Sequence, residues 1–521
     1  MSNRVFSLRA VNVLALLAMS FALACGDDDD DSAGPDTGTT DTATATTGGE
    51  LVWAFASEPA TLNVMIDFSA RSLAIGNFVE GLTTRDAELN TKPALAESWT
   101  QVDATHWRFK IKQGVQFHNG QPMTVDDVAA SITYMTSGDR AARNRSQLGT
   151  VTGASVIDST TVEITTSANQ VSTPARAFFM LVVPKTQIDT DPQSLDTTPI
   201  GTGPYKIERW SRGSELDLTK FEAYWGADPG WDTVKMRFIK DDAVRAQALT
   251  AGEIDGTALP ASLAEHAPQF VRHSKEKQEV FRLDTVGPGP LQNVKVRQAI
   301  DMAIDKKALL DSIYGGFGTP ATGNLLLPSD PGYLRELPAA KFDPAAAKRL
   351  LQEAGVGNIT LTACVWNGSP ENQPELIQAI QPMLAEVGIT LDVQSLVLDD
   401  WVNKCAYGVP SAGVADPVDL YMFGHDDYYK DPFRTWDSFL KCGGPTNTNC
   451  NAELTTLIET SRSEMNDEQA RLNAESINRK VNAFIPAIIL FQFDGLWGTS
   501  KDLQWPGRGD EYILFSEMSR K

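Results

Sequence analysis

Residues 280–318, VFRLDTVGPGPLQNVKVRQAIDMAIDKKALLDSIYGGFG, constrain the fold more than any other stretch. VFRLDT is short, apolar and rich in β-compatible side chains, which predicts a strand. Gly287-Pro288-Gly289-Pro290 can continue neither a strand nor a helix. Asn293 is placed to cap a helix on which Val296, Ala299, Ile300, Ala303 and Ile304 recur at helical spacing. Asp305 caps a second helix carrying Leu309, Leu310 and Ile313, and Gly315-Gly316 stops it. A chain that runs strand, stiff turn, new helices near its midpoint is leaving one lobe and starting another. At 521 residues the chain is too long for a single core, which agrees with that division.

The 67 acidic residues outnumber the 45 Lys and Arg, for a formal charge of −22. Phosphate binding needs a basic surface, so nucleic acid is excluded as an expected partner. The balance is compatible with a cationic ligand. Arg4 and Arg9 precede an apolar run at 11–24 that is too short to span a bilayer, as in an export signal. Its end, Ala22-Leu23-Ala24-Cys25, resembles a bacterial lipoprotein cleavage site, with Ala22 where Leu is usual and Cys25 as the lipidated new terminus. Residues 25–49 lack large apolar side chains and read as a solvated tether. The adjacent carboxylates of Asp27–Asp31 repel one another and form no metal site.

Four cysteines remain: Cys364, Cys405, Cys442 and Cys450. Export favours disulfides. Cys442 and Cys450 flank the turn-forming GGPTNTN and are the easiest pair to close, while all three connectivities stay open. Neither cysteine nor histidine spacing matches a zinc site, so no metal is expected.

Leu51–Phe55 reads as a strand and 72–81 as a helix ended by Gly81. Trp99 and Val102 lie on one arm of a hairpin bent at 103–105, and Trp107, Phe109 and Ile111 alternate along the other. Thr124 and Asp127 have capping-box spacing. Residues 241–252 form a helix with Val244, Ala248 and Leu249 inward. Past the crossover the order becomes β-α-β: a helix from Asp343-Pro344, a strand at 359–365, a helix at 374–387 and a strand at 389–393. That order implies a mixed or parallel sheet. Residues 486–493, PAIILFQF, form a buried strand.

HExxH, GxSxG and P-loop lysine motifs are all missing, and the five histidines form no ligand pair by spacing. No catalytic residue and no cofactor are therefore expected, and binding is the default. The most site-like stretch is 419–437, DLYMFGHDDYYKDPFRTWD, where aromatic side chains surround Asp426, Asp427 and Asp431. Aromatic walls around a few acids suit a cationic, amphipathic ligand.

Four blocks then carry a resemblance: SW…THWRFKIKQGVQFHNGQPMTVDDV, PIGTGPYKIERW with AYW, IKDDAVRAQALTAGEID, and VKVRQAIDMAIDKKALLDSIYGGFG. In this order they are similar to the family 5 extracytoplasmic solute-binding proteins of ABC transporters, from about residue 51 to the C-terminus. The resemblance implies an α/β, two-lobed periplasmic-binding-protein-like fold with mixed sheets, a hinge between lobes and an extra subdomain in the first lobe. It divides the chain into a signal at 1–24, the lipidated tether at 25–49, first-lobe segments at 50–81 and 198–284 around a subdomain at 82–197, a second lobe at 285–484, and a return to the first lobe at 485–521. It implies a lipid-anchored monomer that binds peptides and delivers them to a membrane permease. Related receptors take oligosaccharides, opines or nickel chelates; an exported peptidase or glycosidase is the reading from another class. By the same resemblance Asp427 anchors a ligand ammonium, with Asp426 as the alternative, and Phe423 and Trp401 line the ligand chamber.

Overall fold

The computed structural model describes residues 48–67, 70–338, 340–369, 371–406, 418–442, 448–464 and 466–521. The expected signal, Cys25 and nearly all of the tether lie outside the described residues.

In chain order, the first lobe has β1 (Glu50–Phe55) and the single turn α1 (Arg71–Ala74). The expected helix at 72–81 does not extend further. Gly76 turns the chain at φ 81°, and Ile75 bridges back to Val79. Next come β2 (Ala96–Asp103), β3 (His106–Ile111), α2 (Val125–Thr136), β4 (Val151–Asp158) and β5 (Thr161–Thr166). These strands form a separate antiparallel sheet, ordered β2-β3-β5-β4. Trp107, Phe109 and Ile111 turn to its buried face, as the alternation predicts. The Thr124–Asp127 capping box forms, with the Thr124 N–H donating to Asp127 at 2.8 Å.

The chain then returns through β6 (Tyr205–Ser211), β7 (Glu215–Lys220), β8 (Thr233–Phe238), α3 (Asp242–Thr250) and β9 (Gly256–Ala258). On α3, Leu249 and Ala248 point inward as expected, but Val244 is exposed and Arg245 is buried. The long β10 (Gln269–Leu283) leads to α4 (Val294–Ala303) and α5 (Lys306–Tyr314). Asn293 and Asp305 cap these helices, accepting from Lys295 and Ala308 N–H groups, and Gly315 ends α5 in the left-handed region. The second lobe continues with α6 (Pro344–Glu353), capped by Asp343, then β11 (Ile359–Trp366), α7 (Gln373–Glu386), β12 (Ile389–Leu396), β13 (Leu420–Asp426), α8 (Pro432–Phe439) and α9 (Asp467–Phe484). The last long element is β14 (Ala487–Thr499).

One sheet runs through both lobes, in the order β12-β11-β13-β10-β14-β9-β1-β8-β7-β6. Its second-lobe part holds the expected parallel pairs, β11 with β12 and with β13. Strands β10 and β14 are shared. Residues 269–274 of β10 pair with β14 beside the first-lobe strands, and residues 277–283 pair with β13. The register of β10 on β14 breaks between Ser274 and Gln278 and again between Glu279 and Val280. Such breaks bend a strand and sharpen its twist. The shared strand β10 is therefore bent ahead of the GPGP turn. Phe281 and Leu283 pack with α4, α5 and α7 in one core. A bent strand keeps hydrogen bonds to its neighbours within one sheet, and nothing in its local composition marks the bend.

Candidate functional site

The bend in β10 takes Lys275 and Lys277 out of the ladder with β14, while Lys277 stays paired with Asp426 of β13. Lys277 forms an ion pair with the buried Glu371, and Lys275 pairs with Glu511. Glu511 also accepts from the Tyr428 hydroxyl of the second lobe at 2.9 Å. Burial alone would raise the Glu511 pKa, but Lys275, Lys277 and the Tyr428 hydrogen bond hold it down at about 2. Its backbone sits at φ 62°, an unfavourable region for glutamate that persists only where the surroundings fix it.

Lys275 and Glu511 line a cavity of about 360 Å³ with Trp53, Arg71, Trp497 and Tyr512. Trp505 stands behind it, edge-on to Trp53 and Trp497 at centroid distances of 5.3 and 5.0 Å. Gly256 makes this stack possible, because a Cβ there would enter the Trp53 ring. The cavity thus has aromatic walls and both signs of charge.

Asp426 ends β13 and Asp427 follows it, and their side chains point opposite ways. Asp426 remains 31% exposed, with Arg434 on its Oδ1 at 3.2 Å. Asp427, the expected ammonium anchor, is 0% exposed. Its carboxylate accepts from the Tyr429 N–H at 3.0 Å and the Thr435 hydroxyl at 3.4 Å. Burial raises its pKa, and Arg434 only partly counters this. The side chain at 427 therefore faces the protein interior, and it is Asp426 that stays accessible.

Phe423 stacks on Trp401 with centroids 6.2 Å apart and planes at 13°. Trp401 is buried with the Cys364–Cys405 disulfide and Tyr421, and so supports Phe423 from behind. Cys442 and Cys450 form the second disulfide. Phe423 lines a larger cavity of about 580 Å³ with His425, Arg434 and Thr435 of the second lobe and Gly149 and Arg176 of the first. Burial and the charge of Arg434 push the His425 pKa down to about 3, so this histidine is neutral. Arg176 closes one side by pairing with Asp431 at 2.8 Å, and the Ser172 hydroxyl donates to the same oxygen at 2.8 Å. Asp431 also caps α8 through the Phe433 N–H.

Arg71, Lys275 and Glu511 carry no motif. The one available signal is that Arg71 is the only basic residue between 50 and 84. Among the described residues no group of three or more His, Cys, Asp or Glu is placed to hold a metal ion, and no helix is long and apolar enough to cross a membrane.

Comparison with known proteins places this architecture. Protein XP55 of Streptomyces lividans is 34% identical over 310 residues, which are 58% of this chain and 56% of that one. The glutathione-binding protein GsiB of Escherichia coli K12 is 28% identical over 335 residues, 61% of this chain and 64% of that one. The matched stretch thus spans less than two thirds of the length of these curated relatives. Among solved structures, the substrate-binding protein CtaP of Listeria monocytogenes superposes with a TM-score of 0.80 at 21% identity, covering 91% of this chain and 100% of that one. The periplasmic binding protein DppA of Helicobacter pylori, in complex with the peptide STSA, gives 0.73 at 21% identity, covering 91% and 98%. These likenesses show the two-lobed binding-protein fold. Residues 90–447 match the model of the bacterial extracellular solute-binding proteins, family 5, and the chain belongs to that family.

Proposed function

We propose that the protein is the exported solute receptor of an ABC importer and that its solute is a peptide or a peptide-like zwitterion. The cavity beside the bend in β10 carries this reading, because Arg71, Lys275 and Glu511 stand there among three aromatic rings. A zwitterion with apolar side chains matches such walls, whereas a neutral sugar leaves the charges unanswered. Asp426 offers the amine site: Arg434 occupies its Oδ1, and among the described residues its Oδ2 has no hydrogen-bond partner, which leaves it to a ligand ammonium. The ligands of similar proteins, glutathione for GsiB and a peptide for DppA, support this class.

In this reading β10 and β14 are the hinge, the lobes close on the solute, and a membrane permease receives it. Closure follows when the solute binds the closed form better than the open one. The monomer is the working unit, and lipid on Cys25 holds it at the membrane.

Thermal-shift and calorimetric titration with di- and tripeptides, glutathione, oligosaccharides, agropinic acid and a nickel–histidine chelate test the solute class. Peptides should stabilise the fold and the sugars should not. Stabilisation by sugar or chelate alone overturns the peptide reading. Turnover of chromogenic peptidase or glycosidase substrates would overturn the receptor reading itself. Lipidation is checked by mass, since Cys25→Ser should lose both the diacylglycerol increment and recovery in the membrane fraction.

A further inference from the structure

Arg71 begins α1, and its place is fixed on both sides. Leu73 and Ala74 are buried in the first-lobe core, and the Ser72 carbonyl accepts from the Ile513 N–H at 3.1 Å. The side chain lines the 360 Å³ cavity.

The neighbouring cations all have an acceptor of their own. Lys275 has Glu511, Lys277 has Glu371, Arg434 has Asp426, Arg176 has Asp431 and Arg508 has Asp510. Arg85 lies over the Phe178 ring and donates to the Ala175 carbonyl. Among the described residues, no hydrogen bond or ion pair is made by the Arg71 side chain. Burial disfavours its charge, the Asp426 carboxylate favours it, and the guanidinium stays a cation. Asp510 also lines the cavity, but Arg508 takes both of its oxygens, so Arg71 is the lining cation with no acceptor of its own. A guanidinium presents five N–H donors in a planar fork that matches the two oxygens of a carboxylate.

We infer that Arg71 binds a carboxylate of the solute within this cavity and so makes the receptor selective for acids over their amides. The inference rests on the cavity being the solute site.

The test is native mass spectrometry of the ligand-stripped protein with mixed tripeptides, supplied as free acids and as C-terminal amides. The wild type should take free acids about tenfold or more over amides. Arg71→Gln should take both alike, and Arg71→Lys should keep part of the preference. Amides bearing a glutamate side chain locate the source of the carboxylate. Tight binding of these places the side chain at Arg71, and weak binding places the C-terminus there. Arg71→Gln loses no internal partner and should melt with the wild type; should it fail to fold, the acid-to-amide ratios of wild type and Arg71→Lys decide. Equal uptake of acids and amides by the wild type, or a preference that survives Arg71→Gln, overturns the inference and leaves the peptide reading standing. Wild type that takes neither form overturns both.

Discussion

Gly201 and Gly203 show what the Gly-Thr-Gly-Pro-Tyr turn is for. A Cβ on Gly201 would strike the Phe78 carbonyl, and one on Gly203 would sit 2.6 Å from the Asn77 oxygen. The close approach lets Thr202 donate to Glu80 at 2.7 Å and the Tyr205 N–H to the Asn77 carbonyl at 3.0 Å. Gly201→Ala should cost about 1–3 kcal/mol through this backbone clash, read as a lower urea midpoint. Glu80 also accepts from Tyr224 and Trp225, yet burial dominates and lifts its pKa from 4.5 to about 7. Between these two values the folded state binds more protons than the unfolded one, so this group lowers stability as pH rises from 4.5 to 7. Relative to wild type, Glu80→Gln should gain melting temperature across that window and level off above it; a constant difference would refute the assignment. For Asp426→Ala, calorimetry should show peptide affinity falling about tenfold, while Asp427→Ala should act mainly on stability. The adjacent acids were legible as a pair in sequence, but which one faces out was not, because alternation fixes relative direction and not its sign.

Capped helices and alternating hairpins are the elements the sequence specifies best. Asn293, Asp305 and Asp343 each take a first-turn N–H, since these contacts are local. The helix α3 shows the limit. Its inward face includes Arg245, which donates to the Ile239 and Lys240 carbonyls at 2.7 and 3.0 Å and to Thr257 at 3.1 Å. Periodicity assigns Val244 to that face, but the half-buried carbonyls at the end of the preceding strand and the buried Thr257 hydroxyl select Arg245. Arg245→Ala should therefore cost about 2–3 kcal/mol and Val244→Ala under about 0.5, by denaturant unfolding. The Cys364–Cys405 disulfide spans 41 residues and joins β11 to the segment carrying Trp401. Loop-closure entropy gives about 4 kcal/mol for such a bridge. A Cys364→Ser/Cys405→Ser double variant should lose stability of that order, and reductant should then shift its melting less than that of wild type.

Over the whole molecule, two strands shared between lobes meet one buried ion pair that joins them. Arg176 and Asp431 are 4% and 9% exposed and come from opposite lobes. Removing one member of a buried pair leaves an uncompensated charge, at about 3–5 kcal/mol. Opening the lobes hydrates Asp431 and avoids most of that cost. Ligand-free Arg176→Ala should thus have a larger radius of gyration in solution scattering than wild type, and saturating ligand should narrow the gap. Identical radii would mean that the pair does not hold the lobes together.

The sequence by itself determined the two-lobed α/β plan, the capped helices around the crossover and the family, because periodicity, caps and ordered motif blocks are properties of neighbours along the chain. Only the tertiary structure decided where β10 bends, which cysteines pair, and that Asp426 rather than Asp427 stays open. It alone showed that Arg71, in this cavity, has no hydrogen bond or ion pair among the described residues. Those outcomes depend on partners remote in sequence, as with Lys275 and Glu511, which are 236 residues apart. A charge is spare or satisfied only once every chain segment around it is in place.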